Sequence, residues 1–312
     1  MENRLFFKHE KKLYEDKKRL ISKIDKERTT IGYYTLPKQN IDAILEFADT
    51  FDEKIETIVV LGIGGSSLGA KAIYEFLKPM EQLQRELIFF ESTDPLNIMN
   101  QFKSIKKSYL EQGYLQDTLL KKSLYYARNH TKYHINCIFA YSESLKYFCE
   151  WYVQLWGESL GKKQRHSAFN VGLTPIGLIG PKDQHSFLQL IMEGTRDKSV
   201  TFIKIEDFQE DLCIIPDITL PHLESLDTLN GLSFSTLINM QCDSVIEALE
   251  KEEGIPLDSI TLPKMNAHHI GSLIYYYELL TSLVGQLIDV NTYDQPGVEA
   301  AKIILKKKLT SI

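Results

Sequence analysis

Cysteine is scarce in this chain. Only Cys137, Cys149, Cys213 and Cys242 occur in 312 residues. None forms a CxxC pair, which tells against a zinc site, and four irregularly spaced thiols fit a reducing, cytoplasmic setting. Long hydrophobic runs are also missing. The longest unbroken run of apolar residues and glycine covers 58–65, far short of a membrane span. The first residues, MENRLFFKHEKK, lack the apolar stretch of a signal peptide and are too acidic for a transit peptide. There is no excess of positive charge. Thirty-six Lys and Arg face 42 Asp and Glu, a net charge of -6, which excludes a surface built throughout for nucleic acid. Gly (17) and Pro (10) are too few for a collagen-like or low-complexity chain.

What is present is globular: 43% hydrophobic and 25% charged residues, enough to bury a core without staples. The basic stretch at the N-terminus, ten Lys and Arg against six acids in 28 residues, reads as a solvated helix face; an arm for an anionic partner is the alternative. Helix-like spacing covers 9–27 and 41–51. The run 55–63 is apolar, β-branched and halted by glycines, as a buried parallel strand would be. Helical sequence at 71–77 and strand-like ELIFFE at 86–91 complete a βαβ unit. Further strands are predicted at 137–141 and 200–205, and helices from the end of the first of these to 156, at 188–193 and through the tail 267–309, broken near 294–297. The stripe Ile270, Leu273, Ile274 and Tyr277 reads as core, with some of that surface expected to be buried between subunits. Alternating strands and helices imply an α/β fold with mainly parallel sheets.

Four short segments carry chemistry. GIGGSSLG at 62–69 joins a strand to a helix. Its glycines admit a ligand close to the backbone, and the following helix offers free N–H groups, so the loop suits a phosphate; a tight turn without ligand is the plainer reading. It is neither a P-loop nor a dinucleotide fingerprint, since Ser67 stands where the latter needs Gly. VQLWGESLGK at 153–162 places Glu158 at the end of an apolar helix. Desolvation there would make it a general base, while a surface Glu is the local alternative. His185, in GPKDQHSF at 180–187, suits acid–base work or a helix cap. DQPGVEAAK at 294–302 marks a turn with Lys302 one to two helical turns on.

In this order, GIGGSSLG, VQLWGESLGK, QHSFLQLIMEG (184–194) and DQPGVEAAK, with GSLIYYYE at 271–278, resemble the glucose-6-phosphate isomerase (phosphoglucose isomerase) family. The resemblance covers roughly 35–305. It implies two sugar-isomerase (SIS) domains, each a flavodoxin-like parallel sheet with helices on both faces. The first would span 1–105 and be incomplete, the second 106–250, and a C-terminal helical segment, 251–312, would pack on them. It implies interconversion of D-glucose 6-phosphate and D-fructose 6-phosphate through a cis-enediol, in glycolysis and gluconeogenesis, without metal or organic cofactor. Glu158 would be the base, His185 and Lys302 would assist ring opening, Gly65 and Ser66 would meet the phosphate, and Gln154 and Gln295 would line the site. The histidine would come from a neighbouring subunit, so a homodimer is implied; no nucleic acid or membrane partner is expected.

The resemblance breaks after Glu91-Ser-Thr-Asp-Pro95. The family's Ser-Lys-Ser/Thr phosphate loop and Gly-Gly-Arg-x-Ser motif are both absent, leaving an internal gap near 100–106. Weak phosphate binding, slow turnover and a poorly packed first domain are the expected consequences. A non-catalytic sugar-phosphate binder of SIS type is the alternative function. The set Glu158, His185 and Lys302 separates the two, since a binder has no need to keep all three.

Overall fold

The computed structural model describes residues 2–5, 14–27, 40–51, 57–61, 67–80, 83, 85–90, 117–167, 169–208, 213–217 and 219–310. Strand β1 (Glu2–Leu5) and helices α1 (Tyr14–Glu27) and α2 (Asp42–Asp49) come first. The predicted βαβ unit follows as β2 (Thr57–Leu61), α3 (Leu68–Leu77) and β3 (Glu86–Phe90). Its strands are parallel, with Val59 opposite Ile88, and among the described residues they pair only with each other. A two-stranded sheet is what the broken motif order leads one to expect. The break itself, 91–116, lies outside the described residues.

The larger sheet is built from β4 (Ile135–Ala140), β7 (Thr174–Ile179), β8 (Lys198–Asp207) and β9 (Leu257–Lys264). Between β4 and β7 lie β5 (Lys162–Lys163) and β6 (Asn170–Val171), a small antiparallel hairpin. The order is β1-β9-β8-β4-β7, with four parallel strands and β1 antiparallel at one edge. Strand β9 thus belongs to the segment 251–312 expected to be helical, and it completes the sheet rather than packing on it. Helices α4 (Asp117–Asn129), α5 (Lys146–Leu160) and α8 (Ala267–Leu287) cover one face, together with α3. Helices α6 (Leu188–Met192) and α7 (Phe234–Glu250) cover the other. Helix α9 (Pro296–Leu309) closes the chain and has no buried residue.

Burial on both faces explains why β4 reads INCIFA, almost without polar alternation. Ile138 and Ala140 enter the α5 side, and Cys137 and Phe139 the α7 side. Ile270, Leu273, Ile274 and Tyr277 all lie in the chain's own core, so this stripe leaves no surface to be buried between subunits, contrary to the expectation. Strand β7 hides its nature in Pro175 and Gly177. The proline is tolerated because β7 is an edge strand. The glycine is needed because a Cβ there would stand 2.8 Å from Cys149 Cβ of α5. A buried ion pair joins the layers: Lys122 of α4 reaches Asp258 of β9 at 2.7 Å, and Thr201 of β8 bonds to both.

Candidate functional site

Helix α5 is fixed to the sheet by its large side chains. Trp156, fully buried, donates from Nε1 to Asn136 Oδ1 at 3.0 Å, and the Tyr152 hydroxyl donates to the Asn136 carbonyl at 3.1 Å. This sets the rotation of the helix. The half-buried face beside Trp156 carries Gln154 and Glu158, one turn apart, and Gln154 Nε2 donates to Glu158 Oε2 at 3.0 Å. That bond orients the carboxylate and leaves Oε1 for another partner. The helix ends at Gly161, where a Cβ would fall 2.9 Å from the Gly157 carbonyl.

Glu158 opens into a cavity of about 830 Å³. Its walls are the end of α5, the β5–β6 hairpin and the loop that leads into α9. Lys162, Lys163 and Arg165 stand in these walls against Glu158 and Asp294, leaving one net positive charge. Asp294 is held below the usual carboxylate range, chiefly by its hydrogen bond from Lys162. The first turn of α9 also faces the cavity, with Gln295, Pro296 and Gly297 in the lining. Cations and a helix N-terminus on one concave surface favour an anionic guest.

The residues expected at a site separate into groups. Glu158 and Gln295 line the same cavity, and Gln154 is bonded to the first of them. Gly65 and Ser66 lie outside the described residues, but the helix that follows them is described. Helix α3 begins beside α5: a Cβ on Gly69 would lie 3.4 Å from Trp151 Nε1. Trp151, Gln154 and Glu158 follow i, i+3, i+7 spacing on one face, so the start of α3 stands about 10 Å along α5 from the carboxylate. Lys302 does not join the cavity lining; it is exposed on α9 and pairs with Glu299 at 2.6 Å.

His185 is set apart from Glu158. It ends the short 3-10 turn Lys182–His185 that follows β7, and it is exposed. The end of α5 meets the opposite end of that strand, since a Cβ on Gly157 would lie 3.6 Å from Pro175. From Pro175 to Ile179 the strand advances about 13 Å, so the two residues occupy opposite ends of the sheet. The local sequence did not announce Lys162, Lys163, Arg165 or Asn291 as site residues. Lys162 sits inside a motif, but its role depends on partners about 130 residues away.

A sequence profile described as phosphoglucose isomerase matches residues 118–311. The chain belongs to the phosphoglucose isomerase family. Among its family relatives, the glucose-6-phosphate isomerase of Campylobacter jejuni is 50% identical over 196 residues, 63% of this chain and 47% of that protein. The glucose-6-phosphate isomerase of Methanocaldococcus jannaschii is 38% identical over 186 residues, 60% of this chain and 43% of its own. The chain therefore spans about half the length of such phosphoglucose isomerase relatives. In fold it resembles a hypothetical protein of Thermus thermophilus, with a TM-score of 0.79 at 22% identity, covering 95% of this chain and 94% of that one. A glucose-6-phosphate isomerase of Chlamydia trachomatis superposes with a TM-score of 0.63 at 19% identity, over 86% and 72% of the two chains.

Proposed function

We propose that this chain interconverts D-glucose 6-phosphate and D-fructose 6-phosphate by moving a proton between C2 and C1. The observation that carries this is Glu158, tethered by Gln154 and facing a cavity of positive net charge that also holds Gln295. In the forward direction the Glu158 carboxylate takes the proton from C2 of the open-chain aldose. The C1 carbonyl oxygen takes up a proton to give a cis-enediol; the same carboxyl then returns the carbon-bound proton to C1, while the C2 hydroxyl gives up its own proton to solvent and becomes the ketone. General-base help of this kind is worth about 10² to 10⁴ in rate. A six-carbon sugar phosphate can span from Glu158 to the start of α3, where Gly65 and Ser66 would take the phosphate. Lys163 and Arg165 would offset part of the charge that develops on the enediol oxygens.

His185 and Lys302 are read as the groups that open and close the sugar ring. The distance of His185 from Glu158 within one chain supports a homodimer in which each subunit lends its histidine to the other's cavity. The chain is read as two sugar-isomerase units, 1–105 and 106–250, followed by 251–312; strand β9 of the last segment and strand β1 of the first unit both join the second unit's sheet. Three of the four cysteine thiols are buried and none is in a disulfide, which supports a reducing cytoplasm. No helix among the described residues is long and apolar enough to cross a membrane. With the second phosphate loop and the arginine motif absent, turnover should be low, by about 10² to 10³ for each oxyanion-type donor lost. The experiment is a coupled assay of fructose 6-phosphate conversion on protein of verified intact mass. A complete lack of conversion by a 36.0 kDa chain would overturn the proposal.

A further inference from the structure

An ammonium group gives up water only where acceptors replace it, and it has three hydrogens to place. Lys162 is 7% exposed, and its Nζ finds three acceptors: the Asn291 carbonyl at 2.9 Å, Asp294 Oδ1 at 2.9 Å and the Asp294 carbonyl. Its donor capacity is used in full, so it has no hydrogen left for a ligand. Asn291 Nδ2 holds the other carboxylate oxygen, Asp294 Oδ2, at 2.7 Å. The same two segments are joined further along. Gln164 Nε2 donates to the Ile288 carbonyl at 3.0 Å, the Arg165 N–H to the Asp289 carbonyl at 2.7 Å, and the His166 N–H to Asp289 Oδ2 at 3.0 Å.

The position of this latch matters more than its strength. Lys162 follows Glu158 by four residues, and Asp294 immediately precedes Gln295. One side chain therefore ties the helix end that bears the carboxylate to the loop that bears the glutamine. Helix α9, which that loop starts, has no buried residue and adds no core packing of its own. Its approach to the cavity is set by the loop, through Lys162 and through the Tyr293 hydroxyl, which donates to Ser282 Oγ at 3.1 Å.

We infer that Lys162 is a positioning residue: through Asn291 and Asp294 it holds Gln295 and the first turn of α9 against the Glu158 side of the cavity. Its kinetic consequence rests on the isomerase reading; its mechanical consequence does not. The test compares wild type with Lys162→Met, Lys162→Arg and Asp294→Asn. By hydrogen exchange, Lys162→Met should speed the amides of 291–300 by about tenfold or more and leave β4 and β8 unchanged. In the isomerase assay its kcat should fall by about tenfold or more with KM for fructose 6-phosphate little altered, because displaced groups lose rate before affinity. Lys162→Arg should restore most of both, since a guanidinium can reach the same acceptors. If Lys162→Met does not fold, Asp294→Asn, on the half-exposed side of the pair, should show the same pattern at smaller size. Unchanged exchange at 291–300 in the folded variants, or equal acceleration in β4 and β8, would overturn the inference. A wild-type protein that binds sugar phosphate but does not isomerise it would instead defeat the functional reading, and the exchange measurement would still decide the latch.

Discussion

Glu278 offers a quantitative test of the packing around α8. The carboxyl is largely buried, and its Oε2 has no hydrogen-bond partner. Burial alone raises its pKa from 4.5 to about 7, because the charged form loses water that nothing replaces. Below about pH 4.5 the group is protonated in folded and unfolded chains alike and adds nothing. As pH climbs, the unfolded chain releases the proton first, while the folded chain keeps it until about pH 7. Across this window the unfolded state binds fewer protons, so stability falls as pH rises, and it levels off above the folded pKa. At about 1.36 kcal/mol per pH unit the full penalty is about 3 kcal/mol, an upper figure. Glu278→Gln removes the ionisation and keeps the shape. Urea unfolding of both proteins at about pH 5 and pH 8 should show the variant gaining by up to about 3 kcal/mol at the higher pH, relative to its difference at the lower. Other titrating groups are common to both and cancel. Parallel stability curves for the two proteins across this pH range would refute the reasoning.

Gly285 of α8 faces the loop ahead of the cavity, and a Cβ there would lie 2.0 Å from Thr292 Cγ2. Gly285→Ala should therefore displace the loop and lower stability by about 1 to 3 kcal/mol, the usual cost of overpacking; a variant with unchanged urea midpoint would show that the loop does not press on the helix. The separation of His185 from Glu158 predicts that the active form is a dimer. Sedimentation at micromolar concentration should find about twice the 36.0 kDa chain mass, and full isomerase activity from a species that sediments only as a monomer would count against the shared site.

The first βαβ unit is legible because its strand is β-branched, lacks polar alternation and stops at a glycine cluster. The same rule finds β4 and β8, which are buried on both faces. It fails at β7, where Pro175 and Gly177 argue against a strand locally and are explained only by an edge position and a helix pressed close. It fails at β9 for a related reason: Asp258 and Ser259 break the apolar run, yet Asp258 is buried because Lys122 meets it from α4. Helix α7 went unread in the sequence, although Ser233 Oγ accepting from the Thr236 N–H at 3.1 Å is an ordinary helix start. Of the site, Glu158, Gln154 and Gln295 were legible through motifs, because each motif is local. Lys162 was not, since its acceptors lie across the fold. The separation of His185 from Glu158 within one chain was implied only by the family resemblance, because the local sequence does not show which end of a strand each loop leaves.

The central claim is that Glu158 moves the proton. The most direct measurement compares wild type with Glu158→Gln in conversion of fructose 6-phosphate, with binding of the sugar phosphate followed in parallel. The glutamine keeps the side chain's size and can still bond to Gln154, but it cannot take a proton. Turnover should fall by at least about 100-fold, with binding largely kept. A variant that retains more than about a tenth of wild-type turnover, well above what loss of a general base allows, would contradict the account.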